Sequence, residues 1–178
     1  MLEQFKPTWM LNSIYNLTPE QIQQHQIKLI LTDLDNTLIA WNNPNGTPEL
    51  NAWLNTMKAA HIPVLVVSNN NEKRVQKAIE KFDLPFVSRA MKPLKHGIRK
   101  AMKRYQVAPE NAVLVGDQLM TDILAANRSE IKSILVKPIV ESDAWNTKLN
   151  RSLEKVIKNK LKQKLNFEIK WRKTIDGE

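Results

Sequence analysis

The chain contains no cysteine. Disulfides, thiolate metal centres and cysteine nucleophiles are thereby excluded, and a reducing compartment such as the cytoplasm is the expected location. Glycine is scarce, with four in 178 residues, which argues against a glycine-rich phosphate cradle. No stretch provides about 18 consecutive apolar residues, and the start, MLEQFKPTWMLNSIYNL, lacks a cationic segment followed by an apolar run. Neither a membrane span nor an export signal is therefore expected. Internal repeats and low-complexity segments are also missing.

What is present is ordinary for a globular protein, with 42% hydrophobic and 25% charged residues. The length suits one domain of about 100–200 residues, with room for a tail. Charge is the unusual bulk property: 27 Lys and Arg against 18 Asp and Glu give +9. Residues 141–178 hold ten basic and six acidic residues, net +4, and the first 140 carry the other +5. An anionic partner is expected.

Four short runs rich in Val, Ile and Leu, IKLILTD (27–33), PVLVVSN (63–69), NAVLVGD (111–117) and IKSILVK (131–137), read as strands covered on both faces, with LPFVSRA (84–90) as a weaker fifth. Helical spacing lies between them at 48–60, 71–82, 93–106 and 119–128. In the third, Leu94, Ile98, Ala101, Met102 and Tyr105 form one stripe, and Pro48 and Pro93 fit first-turn positions. The alternation predicts an α/β fold with a Rossmann-like parallel sheet and helices on both faces. A helical lead-in precedes it. The core domain is expected over 1–142 and a basic amphipathic helical tail over 143–178, its apolar face formed by Leu149, Leu153, Val156, Ile157, Leu161 and Leu165.

In such a fold ligands gather beyond the carboxyl ends of the strands, and TDLDNT, SNNN and GDQLMTD each follow a strand directly. Asp33 and Asp35 are two apart, so their side chains share one face while the chain is extended. Two carboxylates at the edge of an apolar core need a balancing cation. With Asp117 and Asp122 they form an all-oxygen set without cysteine, which favours Mg²⁺ over softer metals.

DLDNTL resembles the first motif of the haloacid dehalogenase superfamily of phosphotransferases, Asp-x-Asp-x-Thr. Ser68, Lys92 and GDQLMTD fall in the order of the remaining motifs. The resemblance implies that Asp33 is the nucleophile, that Asp35 is the proton carrier, and that Ser68, Asn69 and Lys92 bind the phosphate. It further implies that Asp33, Asp35 (through its carbonyl) and Asp117 hold Mg²⁺, that Lys92 also offsets the charge of Asp33, that Asp122 orients a metal-bound water or Lys92, and that Thr37 fixes the loop after Asp35. Lys95, three residues on, is the alternative to Lys92. His96 is expected on a helix surface, and Trp41 either lines the substrate mouth or packs.

Ser68 lies only 33 positions after Asp35, and Lys92 only 24 after Ser68, so no cap domain fits. The capless pattern is similar to class IIIA phosphatases related to mitochondrial phosphatidylglycerophosphate phosphatase. That resemblance implies a phosphomonoesterase whose substrate is a phosphomonoester, with an anionic phospholipid at the membrane surface as first choice and a peripheral site at the inner membrane face. The basic tail suits a solvated face, a membrane surface, or RNA or protein, with Trp145, Phe167 and Trp171 as candidate stacking groups. The alternative function is a binding or regulatory module that keeps the fold and docks to RNA, the ribosome or protein.

Overall fold

The β-branched runs form the centre of one parallel sheet, ordered β1-β6-β5-β2-β3-β4, in a computed structural model that describes residues 1–43, 45–140 and 148–177, side chains of 148–151 excepted. The strands are β1 (Trp9–Leu11), β2 (Leu29–Thr32), β3 (Val64–Val67), β4 (Phe86–Val87), β5 (Ala112–Gly116) and β6 (Lys132–Val136). The helices are α1 (Pro19–Gln24), α2 (Pro48–Ala59), α3 (Glu72–Ile79), α4 (His96–Tyr105), α5 (Leu124–Arg128) and α6 (Lys148–Leu165).

Period-two alternation sorts the strand side chains into two cores. Ile30, Val64, Val66, Val113, Val115 and Ile134 face α2 and α3, where Leu50, Trp53, Met57, Val75 and Ile79 cover them. Leu29, Leu31, Leu65, Val67, Ala112 and Leu114 face the other way, toward Ile98, Ala101 and Met102 of α4 and Ala125 and Ala126 of α5. Helices thus lie on both faces, as the continuous apolar runs required. Trp53 is satisfied inside its core because its indole N–H donates to the Leu17 carbonyl at 2.9 Å.

Some sequence expectations are corrected. Pro48 opens α2 behind Thr47, whose hydroxyl caps Leu50 N–H at 3.3 Å. Pro93 opens no helix: its bond to Lys92 is cis, Leu94 N–H closes a turn on the Met91 carbonyl at 2.7 Å, and α4 begins only at His96. Leu94 therefore leaves the predicted stripe and stands 55% exposed. The fourth predicted helix starts with a π-helical turn, Leu119–Ile123, before α5. The lead-in is not purely helical, since β1 pairs with β6, Trp9 opposite Ile134. Three residues of mixed exposure give too short a pattern to read as a strand; the pairing is set by a partner about 125 residues away.

The tail folds back on the sheet. α6 packs Leu161 against Leu119, Ile123 and Leu135, with Ile157, Leu165, Phe167 and Trp171 half-buried around them. Leu153 and Val156, predicted on the apolar face, are 41% and 47% exposed, while Glu154 is buried in their stead. Beyond the helix, Arg172 bridges Leu11 and Ile175 enters the core beside α1. Phe167 and Trp171 are thus engaged in packing; Trp145, the side chain of Leu149 and the 142/143 boundary lie outside the described residues.

Candidate active site

The sheet reverses direction at β2: the chain runs outward from β2 to β3 and β4 on one side, and from β5 to β6 on the other. Asp33 follows β2 and Asp117 follows β5, so the two acids face each other across the switch point where such folds bind ligands. The Asp33 N–H continues the ladder onto the Val115 carbonyl at 2.9 Å. Backbone rigidity extends to the residue that carries the carboxylate.

Asp33, Asp117 and Asp122 place one oxygen each within 4.8 Å of one another. Lys92 supplies a positive charge: its Nζ donates to Asp33 Oδ1 and to Asp122 Oδ1, both at 2.7 Å, with the lysine side chain 2% exposed. Of the two candidate lysines, Lys92 reaches the acids, whereas Lys95 precedes α4 as its cap residue. The backbone of Lys92 is fixed by Asn69, whose side-chain oxygen accepts the Lys92 N–H at 2.7 Å and whose amide donates to the Lys92 carbonyl at 2.9 Å.

The charges do not balance. Three carboxylates and one ammonium leave two net negative charges in a mostly buried site. Burial, with Asp33 and Asp122 nearby, pushes the Asp117 carboxyl well above the ordinary carboxylate range. Burial also raises Asp122, to about 6, against the pull of Lys92, while the two aspartates hold Lys92 above its usual value despite its own burial. A hard divalent cation fits this all-oxygen set. Asp122 has both oxygens engaged, Oδ1 with Lys92 and Oδ2 with the Gln118 N–H at 3.1 Å, so Asp33 and Asp117 are the acids with an oxygen to offer. Thr37 donates to Asp117 Oδ1 at 3.2 Å and orients it.

Asp35 lies apart from the three clustered acids. Its carboxylate is gripped by both oxygens in the Arg74 guanidinium, at 2.9 Å each, and by the Asn70 amide at 2.8 Å. Ser68 is 1% exposed, and its hydroxyl accepts the Asn70 N–H at 3.1 Å. It does not cap α3, because Asn71 does so through the Arg74 N–H at 3.0 Å. His96 is exposed at the start of α4, and Trp41 is 40% exposed on the loop after β2.

Two site residues escaped sequence reasoning, Asn70 and Arg74. Both lie within six positions of Ser68, and a cation one turn into the helix that follows a motif serine was the available signal. Close packing adds a third element. A Cβ on Gly116 would stand 2.3 Å from the Cβ and Cγ of Asp122, so the end of β5 must be glycine for Asp122 to approach.

The HAD-hydrolase-like family model matches residues 90–161. Over 160 residues the chain is 41% identical to the probable phosphatase YqeG of Bacillus subtilis, which covers 90% of this chain and 93% of that protein. The fold is similar to the crystal structure of an uncharacterized protein from Listeria monocytogenes serotype 4b, 15% identical, TM-score 0.50, covering 75% of this chain and 99% of that one. A HAD-superfamily hydrolase from Geobacter sulfurreducens aligns at 12% identity and TM-score 0.47, over 65% and 90% of the two chains. With a relative this close over nine-tenths of both sequences, the chain belongs to the haloacid dehalogenase (HAD) superfamily of hydrolases.

Proposed function

We propose that the chain is a Mg²⁺-dependent phosphomonoesterase acting through an aspartyl-phosphate on Asp33. The observation that carries this reading is the bridge from Lys92 to Asp33 and Asp122 beside the charge-deficient Asp117. Lys92 holds the Asp33 carboxylate in place, and a carboxylate oxygen of Asp33 attacks phosphorus. The P–O bond to the leaving group breaks, and Asp35 gives its proton to that oxygen. Asp35 then removes a proton from water, whose oxygen attacks phosphorus and releases inorganic phosphate and the Asp33 carboxylate. Asp33, Asp117 and the Asp35 carbonyl are the proposed Mg²⁺ ligands. The ion, when bound, neutralises charge on the transferring phosphoryl group.

Ser68, Lys92 and the Asn69 backbone N–H are the proposed phosphate-binding groups, since the Asn69 side chain already serves Lys92. Arg74 must release Asp35 for Asp35 to carry a proton. Turnover of p-nitrophenyl phosphate with Mg²⁺ tests the reading. Asp33→Asn is expected to lower kcat at least about 10³-fold, and undiminished activity would remove Asp33 as nucleophile.

For the substrate we favour an anionic phospholipid carrying a phosphomonoester, of the phosphatidylglycerophosphate kind, reached from the membrane surface. All strands are parallel, so the loops after β2, β4 and β6 open on the same edge of the sheet as Asp33. Those loops carry Trp41, Met91, Leu94 and Ile139, 40%, 49%, 55% and 41% exposed. Among the described residues no domain is inserted over them. An apolar rim with Arg74 inside it suits an amphiphile presented at a lipid–water boundary. Phosphatidylglycerophosphate in mixed micelles should be turned over with at least tenfold higher kcat/KM than p-nitrophenyl phosphate; equal values would remove the lipid preference and leave the phosphatase intact.

A further inference from the structure

Glu154 is 9% exposed on α6, yet it belongs to none of the proposed catalytic groups. Its Oε1 accepts the Met120 N–H at 2.7 Å. That N–H belongs to the first residues of the π-helical turn Leu119–Ile123, whose cap residue Gln118 makes no side-chain cap hydrogen bond. Two residues back, the Gln118 N–H is taken by Asp122 itself. Two acids therefore hold amides at the start of the turn, one from within it and one from a helix about 34 residues further on.

A buried carboxylate costs more to desolvate than an apolar side chain of its size. The three inward neighbours of Glu154 on α6, Ile157, Leu161 and Leu165, are apolar and hold the helix against Leu119 and Ile123. The helix could dock with them alone. What the carboxylate adds is a fixed position for a turn that begins two residues after Asp117 and ends one residue after Asp122.

We infer that Glu154 is a positioning residue for the metal site: through the Met120 amide it sets where Asp117 and Asp122 stand, which makes α6 part of the active-site framework. The inference rests on Asp117 being a Mg²⁺ ligand. It also gives the tail a task that is independent of any partner bound by its cationic face.

The test compares full-length wild type, E154A, E154Q and M57A, a truncation in the core on the opposite face of the sheet. Mg²⁺ binding is measured by calorimetry without substrate, together with kcat and KM for p-nitrophenyl phosphate and hydrogen exchange of the Met120 amide. E154A should weaken Mg²⁺ about tenfold and lower kcat by about the same factor, leave KM within about twofold, and speed exchange at the Met120 amide. E154Q keeps an acceptor oxygen and should return both quantities to within about threefold of wild type. M57A should lower Tm at wild-type Mg²⁺ affinity. Wild-type Mg²⁺ affinity and kcat in E154A, or E154Q as impaired as E154A, would overturn the positioning role alone. A wild type that takes up no Mg²⁺ would overturn the metal reading beneath it. Should E154A fail to fold, E154D, with its carboxylate one methylene shorter, replaces it, and unchanged Mg²⁺ affinity there sinks the inference.

Discussion

At the scale of the residue, Lys92 ties two carboxylates at 2.7 Å while 2% exposed, so removing the lysine strands both of them in the buried site. Lys92→Met is expected to cost about 3–5 kcal/mol in urea unfolding, since it leaves Asp33 and Asp122 uncompensated. Adding Asp122→Asn should recover part of the loss, a non-additive cycle characteristic of a shared network. Additive losses would show that the lysine stabilises by packing. Arg74 is a contrasting case. Half exposed, its pair with Asp35 should contribute less than about 1 kcal/mol of stability. Arg74→Ala is nonetheless expected to move the pH dependence of kcat/KM, which reports the free enzyme, where Arg74 still grips the proposed proton carrier; an unmoved profile would mean that Arg74 has no part in the proton transfer.

At the scale of the element, the end of β5 and the turn after it behave as one unit. Gly116→Ala places a methyl where the Asp122 side chain already stands, and should cost about 1–3 kcal/mol together with most of the turnover. Activity near wild type would imply that the turn can shift without harm. The docking of α6 on that turn predicts a pH signature. Burial raises the Glu154 pKa above its ordinary 4.5, against the opposing pull of the Met120 and Leu119 amides and of Lys158. The folded state therefore favours the protonated acid, and that contribution is complete below pH 4.5 and lost as pH rises through the raised folded value. The Tm of E154Q relative to wild type should climb over that window and then level off. A difference independent of pH would mean that the carboxylate is not desolvated.

At the scale of the molecule, a charge of +9 and an open apolar-rimmed site suggest an encounter with an anionic surface. No helix among the described residues is long and apolar enough to cross a membrane, so the proposed contact is peripheral. Co-sedimentation with vesicles of anionic lipid should fall steeply as NaCl rises from about 0.05 to 0.5 M, where the screening length shrinks several-fold, and should be weak on zwitterionic vesicles. Serine at Trp41 and Leu94 together should weaken binding to anionic vesicles while leaving turnover of p-nitrophenyl phosphate unchanged. Loss of vesicle binding only on removing tail lysines would move the docking surface from the active-site rim to α6.

The sequence by itself determined the sheet and the carboxylates at its switch point, because both depend on local pattern: apolar runs of strand length, each closed by polar residues at fixed spacing. The order of Asp33, Ser68, Lys92 and Asp117 along the chain was likewise enough to suggest the chemistry. Only the tertiary structure decided which groups share charge. That Arg74 and Asn70 hold Asp35, and that Glu154 caps the turn beside Asp117, depend on contacts 30 or more residues apart. Apolar periodicity carries no information about such pairs. The same holds for β1, a strand defined by its neighbour, and for α6, where an apolar stripe placed Leu153 and Val156 inward but an amide of a distant turn selected Glu154. A buried donor needs an acceptor more than a hydrophobic face needs one further leucine.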